Sequence, residues 1–376
     1  MYTSQVATPL NQDRYLVASI IPQSVSDEVA FRDLKELKEL VDTYGGKVIE
    51  FVIQHREIHD KGQYLGRGKI DEISQCVKKN DIDIVVLNAT VKPTHIYDMK
   101  SFLEKQNPKV QVWDRIDLIL EIFSKHASTT EAKLQIKLAA MRHMGPRIYG
   151  LGHVLSRQGG SIGTRGIGET NTELMKRHWR AQIRKTQERL EKHEKDRERQ
   201  LERRRKLGLR TISIVGYTNA GKTSLYNYLT KKHNLVQNAL FATLDASVGK
   251  MTLPKSDETV LISDTIGFVR NLPPSLISAF TSTLMESVQS DLLLHVIDCS
   301  DPDRYRKMKA VEAILSDLHL SHKKTLYVFN KADLLPSKQK QLLTKLYAAY
   351  APLFISVNKK TGLDKLCLTI DQSLLT

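Results

Sequence analysis

Ile212-Ser213-Ile214-Val215-Gly216-Tyr217-Thr218-Asn219-Ala220-Gly221-Lys222-Thr223-Ser224 decides the architecture of the C-terminal part of the chain. Four apolar or small residues in a row read as a buried strand. They run into G-x-x-x-x-G-K-[ST], the spacing of a phosphate-binding loop between a strand and a helix. The glycines let backbone N–H groups turn inward around phosphate oxygens, and a helix starting near Lys222 adds the positive end of its dipole. Gly216 to Ser224 are therefore the expected phosphate-binding residues. Lys222 would neutralise β- and γ-phosphate charge, and the Thr223 hydroxyl would ligate Mg²⁺.

The phosphate loop alone does not choose the base. Asn330-Lys331-Ala332-Asp333 does, directly after the apolar run Leu326 to Phe329. A carboxylate at a strand end can accept two hydrogen bonds from guanine N1–H and N2–H₂. Adenine has no matching donor pair, so Asp333 selects guanine. Asp264-Thr265-Ile266-Gly267 follows the apolar run Val260 to Ser263. Asp264 would hold Mg²⁺ through water, and the Gly267 N–H would sense a γ-phosphate. Phe241-Ala242-Thr243-Leu244-Asp245 offers Thr243 as a second hydroxyl for Mg²⁺, and Ser356-Val357-Asn358 would back the guanine ring.

Working outward, the segment from Thr211 reads as strand, loop and helix. Further apolar runs at 260–263, 292–297, 326–329 and 353–355 give a second parallel sheet covered on both faces. Upstream, Arg14–Ile20, Lys47–Ile53, Ile82–Leu87 and Val110–Trp113 alternate with helical patterns such as Leu34, Leu37 and Val41, which predicts a smaller parallel sheet. From Asp114 to Met144 the pattern is helical, and Gly145-Pro146 is expected to stop it. A glycine-rich loop is predicted over 150–171. The charged stretch 172–207, free of Gly and Pro as far as Lys206, is predicted to be one long helix. The fold class is thus α/β: a small parallel-sheet α/β domain at 1–125, a helical hairpin at 126–208 with the glycine loop at its tip, and a Ras-like P-loop domain at 209–376.

The 376 residues carry 57 Lys+Arg and 42 Asp+Glu, a formal net charge of +15. By segment the balance is 23 − 22 = +1 over 1–175, 15 − 6 = +9 over 176–210 and 19 − 14 = +5 over 211–376, so the charge is localised. Glu188, Glu191, Glu194, Glu198 and Glu202 interleave with bases on the long helix. Lys176, Arg177, Arg180, Arg184 and Lys185, and Arg203 to Lys206, lack such compensation, which suits a phosphate-rich partner. Arg157, Gln158 and Arg165 among the glycines suit close approach to an RNA backbone. Trp179 could stack on a base, but a Trp at such a position more often packs on the hairpin partner. Three separated cysteines (Cys76, Cys299, Cys367) give neither a disulfide framework nor a cysteine zinc site. His55 and His59 read as strand-end histidines, and Cys299 near His295 lacks the third group of a cysteine hydrolase. No secretory signal is expected at Met1–Leu10, and no apolar run is long enough to cross a bilayer.

Tyr64-Leu65-Gly66-Arg67-Gly68-Lys69, Asp114-Arg115 with Leu118 to Phe123, Lys133-Leu134-Gln135, Leu155 to Gly160, Thr164-Arg165-Gly166, Gly168-Glu169 and Gly216 to Lys222 together resemble the HflX family of translational GTPases. So does the continuation of Asp264–Gly267 into Phe268-Val269-Arg270 and Leu272-Pro273. The resemblance covers roughly 35–365. It implies GTP and GDP binding, slow Mg²⁺-dependent GTP hydrolysis, and association with the large ribosomal subunit and its rRNA through the hairpin and glycine loop. Splitting or rescue of stalled ribosomes is what some members do. Departures from the family pattern are Ile167 in place of Pro, Ala246 to Gly249 after Asp245, and Ser-Val-Asn as the fifth motif.

Lys222, Thr243 and Gly267 are the expected catalytic residues, and Thr223, Thr243 and Asp264 the expected Mg²⁺ set. The residue after Gly267 is Phe268, which cannot orient water as a Gln does in Ras-like proteins, so slow, partner-stimulated hydrolysis is expected. Asn219 resembles the loop Asn of potassium-stimulated GTPases, which makes K⁺ a candidate second cation. The expected protein is a cytoplasmic monomer without integral membrane segments, with peripheral membrane association left open. A GTP-switched adaptor for a protein or membrane partner is the alternative.

Overall fold

The computed structural model describes residues 12–60, 62–158, 165–232, 240–241, 247–270, 276 and 287–375. The chain divides into two compact units, Met1–Lys125 with Ala139–Arg184, and His126–Leu138 with Lys185–Thr376.

The first unit holds four parallel strands, β1 (Arg14–Ile21), β2 (Lys47–His55), β3 (Ile84–Leu87) and β4 (Gln111–Asp114), in the order β2-β1-β3-β4. Helices α1 (Asp27–Tyr44), α2 (Arg67–Asn80) and α3 (Pro93–Leu103) connect them. Helix α1 turns Leu34, Leu37 and Val41 to the core, each at most 1% exposed. It ends because Gly45 takes φ +102 and returns its N–H to the Val41 and Asp42 carbonyls. Leu16, Ala18, Val52, Ile73, Val85, Leu87 and Leu103 pack between the layers.

Helix α4 (Arg115–His126) follows, and then α5 (Thr130–Gln158) and α6 (Arg165–Lys206). Here the structure departs from the sequence reading. Gly145-Pro146 does not end α5, and residues 150–158 and 165–171 of the expected glycine loop are helical. The six residues 159–164 lie outside the described ones. Proline costs roughly 3 kcal/mol and glycine roughly 1 kcal/mol inside a helix, but both are local preferences that a long, already nucleated helix overrides. Before Pro146, α5 is anchored by buried Ala132, Ile136, Leu138, Ala139 and Met141. Helix α6 thus begins seven residues before the expected Thr172 and runs for 42 residues, roughly 63 Å at the α-helical rise. No helix among the described residues is long and apolar enough to cross a membrane.

The second unit contains β5 (Thr211–Gly216), α7 (Lys222–Thr230), β6 (Ser247–Thr252), β7 (Thr259–Asp264), β8 (Leu292–Asp298), β9 (Thr325–Asn330) and β10 (Leu353–Phe354). Strand order is β10-β9-β8-β5-β7-β6. All neighbours are parallel except β6, which pairs antiparallel with β7. That edge strand escaped the sequence reading because only Gly249 and Met251 of its six residues point inward. Ile212, Ile214, Leu225, Ile262, Leu294, Val296 and Val328 form the core beneath the phosphate loop.

Candidate functional site

Strand β5 delivers Gly216 at φ +151, packed so closely against the Val296 carbonyl that a Cβ would collide with it. Asn219 (φ +61) and Gly221 (φ +93) complete the turn into α7. Tyr217, Thr218 and Ala220 are buried, Asn219 is exposed, and Thr223 and Ser224 sit half-buried in the first turn of α7. Lys222, 6% exposed, donates from Nζ to the Tyr217 carbonyl at 2.8 Å. Burial pushes its pKa down to about 8, with the Asp264 charge acting in the opposite direction. An ammonium held at this pKa gains strongly from an incoming phosphate.

Asp264 ends β7 with no exposure, level with Ile214 of β5. Thr265 Oγ1 donates to the Ile214 carbonyl at 2.7 Å, Ile266 is buried, and Gly267 lies against Thr218 and Lys222. The adjacent Phe268 is 2% exposed, so its ring has no access to water.

Asn330 ends β9. Its Nδ2 donates to the Ala220 carbonyl at 2.9 Å, and its Oδ1 accepts the Val357 N–H at 3.3 Å. One side chain therefore joins the phosphate loop to the 356–358 turn. Lys331 adopts φ +62 and pairs with Asp298 at 2.7 Å, and the Ala332 N–H donates to Ile355. Asp333 is exposed in the short turn Ala332–Leu334. Ser356 Oγ accepts the Lys359 N–H at 3.0 Å, while Asn358 is exposed.

The structure brings these motifs together at the carboxyl ends of parallel strands, where open α/β sheets bind ligands. Phe241 is buried at φ +58. Ala242, Thr243, Leu244 and Asp245 lie outside the described residues.

Two buried features beneath the loop were not read as part of the site. Ser213 and Ser263 share a 2.6 Å hydroxyl–hydroxyl bond between β5 and β7. His295 of β8 is 1% exposed, and burial with the nearby Lys222 charge pushes its pKa down to about 3, so it stays neutral. Period-two patterning marks such positions as inward, but their pairing needs the strand order. Burial raises the Cys299 thiol to about 12, so no reactive thiolate stands beside His295.

On the hairpin, Trp179 Nε1 donates to the Met141 carbonyl at 3.0 Å, fastening α6 to α5. Arg177, Arg180, Lys185, Arg203 and Lys206 are exposed. In the first unit, Asp114, Asp117 and His143 gather their ligand atoms within 4.8 Å. His143 Nε2 bonds Asp114 at 3.1 Å and lies 3.3 Å from Asp117. Burial alone would lower its pKa, but those two carboxylates raise it to about 9, so a protonated imidazole bridges them.

A phosphate loop entering a helix, an Asp at the neighbouring strand end and an Asn-Lys-x-Asp turn define a P-loop GTPase. Family profiles agree along the chain: residues 32–124 match one described as GTP-binding GTPase N-terminal, 126–204 the GTP-binding GTPase middle region, and 211–331 a 50S ribosome-binding GTPase. The chain is 41% identical to GTPase HflX of Caldanaerobacter subterraneus over 97% of its own length and 81% of that protein's. It is 38% identical to GTPase HflX of Escherichia coli over 81% and 70%. The solved structure of SsGBP with GDP matches at a TM-score of 0.54 and 26% identity, covering 96% of this chain and 98% of that one. This chain belongs to the HflX family and is a GTP-binding GTPase.

Proposed function

We propose that this GTPase docks on the large ribosomal subunit through its hairpin, with the bound nucleotide controlling the association. The observation that carries the reading is the set of exposed cations Arg177, Arg180, Lys185, Arg203 and Lys206 along one helix of a chain that also holds a GTPase site. The profile matched by 211–331 is described as ribosome-binding, which points the same way. The division into 1–125, 126–208 and 209–376 assigns the hairpin to rRNA and the last part to the switch. The setting is the cytoplasm, and the chain acts as a monomer.

P-loop GTPases use Mg²⁺ with GTP and GDP. The residues here fit that ion, since Thr223 and the buried carboxylate of Asp264 are hard oxygen donors beside a buried ammonium. With Thr243, they would hold it, and the ion would neutralise charge on the β- and γ-phosphates. Gly216 to Ser224 would wrap the phosphates, with Lys222 on the β/γ oxygens. The Gly267 N–H would report the γ-phosphate, and Asp333 would take the guanine edge with Ser356, Val357 and Asn358 behind the ring. Asn219, exposed at φ +61, would share K⁺ with the phosphates, and equal rates in KCl and NaCl would remove that role.

Co-sedimentation with purified large subunits in GDP, GTP and a non-hydrolysable analogue tests the docking. Nucleotide-dependent pelleting that falls steeply with salt is expected, as for binding through several phosphates. Pelleting that is absent, or indifferent to nucleotide, favours an adaptor for a protein or membrane partner instead.

A further inference from the structure

The segment after β7 pairs with the phosphate loop, and one side chain holds the end of that pairing. The Phe268 N–H donates to the Gly216 carbonyl at 3.1 Å, and the Thr218 N–H donates to the Phe268 carbonyl at 2.8 Å. Tyr217 and Phe268 thus form a parallel bridge. Two residues further on, the Tyr217 hydroxyl accepts the N–H of Arg270 at 2.8 Å. The Tyr217 ring lies 5.0 Å from the Lys307 ammonium, itself paired with Asp301 at 2.6 Å. Tyr217 is 5% exposed, Phe268 2% and Val269 0%, so the Tyr217–Phe268 pairing forms away from competing water, and the Arg270 bond at its edge is half-buried.

The pairing presses Gly267 onto the site's cation. A Cβ at Gly267 would lie 2.9 Å from Lys222 Nζ and 2.7 Å from Thr218 Cγ2. A γ-phosphate would enter beside the Lys222 ammonium and the Gly267 N–H, where Gly267 already packs against the lysine and Thr218. A triphosphate therefore asks more of the segment than a diphosphate does, and a bond holding the segment in this arrangement costs triphosphate affinity first.

Resting on the reading of Gly216–Thr223 as the phosphate site, we propose that Tyr217 is a positioning residue whose hydroxyl latches the Gly267–Arg270 segment onto the phosphate loop and so biases the protein toward guanosine diphosphate. The latch is local to this chain's own side chains. Tyr217 needs no contact with the nucleotide to exert it.

Tyr217→Phe keeps the ring and its Lys307 neighbour and removes the hydroxyl that accepts the Arg270 N–H. Fluorescence titration of wild type and variant with methylanthraniloyl-GDP and the corresponding non-hydrolysable GTP analogue reads the effect. One hydrogen bond of ordinary net strength changes an equilibrium roughly 3–10-fold, so the ratio of the analogue's Kd to that for GDP should fall by that factor. Arg270→Pro deletes the same bond from the donor side. It should reproduce the shift, and the double variant should add nothing to it. An unchanged ratio in variants with wild-type melting temperature, or equal shifts for both nucleotides, overturns the latch. A wild-type protein that binds neither nucleotide overturns the phosphate-site reading instead.

Discussion

Asn330 donates its side-chain N–H to the carbonyl oxygen of Ala220 at 2.9 Å, joining two motifs 110 residues apart. Its other side-chain atom accepts the Val357 N–H at 3.3 Å. The base-recognition turn is thereby tied to the phosphate loop through one amide rather than through the base alone.

Asn330→Ala removes both bonds at once, taking the partner from the buried Ala220 carbonyl and from the half-buried Val357 N–H. GDP and GTP affinities should fall together by roughly tenfold or more. Isothermal titration with each nucleotide checks this, and a loss confined to one nucleotide would contradict it.

Asp333 is exposed and available for a guanine edge. Asp333→Asn replaces an acceptor pair with one acceptor and one donor. Affinity for GTP should drop on the order of 100-fold, while xanthosine triphosphate, which offers an acceptor where guanine has N2–H₂, should gain. Competition of the two nucleotides for the labelled analogue reads the exchange.

Lys222 has a pKa pushed down to about 8 by burial, and bound phosphate favours its charged form. Below that pH the ammonium is already charged and the GDP Kd should be flat. Above it a proton must be taken up on binding, so affinity should weaken by up to about tenfold per pH unit. Titrations from about pH 7 to about pH 9 check the sign, and affinity improving with pH would refute it.

Phe268 is buried where a water-orienting polar side chain would be needed. The isolated protein should hydrolyse GTP slowly, on the order of 10⁻⁴ to 10⁻² per second. Large ribosomal subunits should accelerate it. Single-turnover phosphate release measures both, and turnover at tens per second without a partner would refute the reading.

His143 is raised from 6.5 to about 9 despite its burial, because Asp114 and Asp117 hold the charged form. A raised pKa means its stabilisation is fully present below the unfolded value and is lost as pH rises through about 9. The Tm gap between wild type and His143→Gln should therefore shrink between about pH 7 and about pH 10. Melting curves by circular dichroism across that range test it.

The phosphate loop was legible from the chain because its chemistry is contiguous. Glycines at Gly216 and Gly221, a lysine and a hydroxyl at a helix start encode the cradle within nine residues, and each requirement is a local backbone or dipole effect. The Asp264 and Asn330 motifs were legible for the same reason, each being a short signature after an apolar strand. The helical run through Gly145-Pro146 was not, since helix propensity is a local quantity and the packing of α5 is not. Likewise, nothing in the neighbourhood of Tyr217 announces Arg270, or in that of Ala220 announces Asn330. Those pairs exist only once the strand order β9-β8-β5-β7 sets which loops lie side by side. Short contiguous motifs thus name the chemical groups a GTPase site would use. Tertiary structure decided which of them touch and how far burial shifts the Lys222 charge, because neighbourhood and desolvation are properties of the packed sheet.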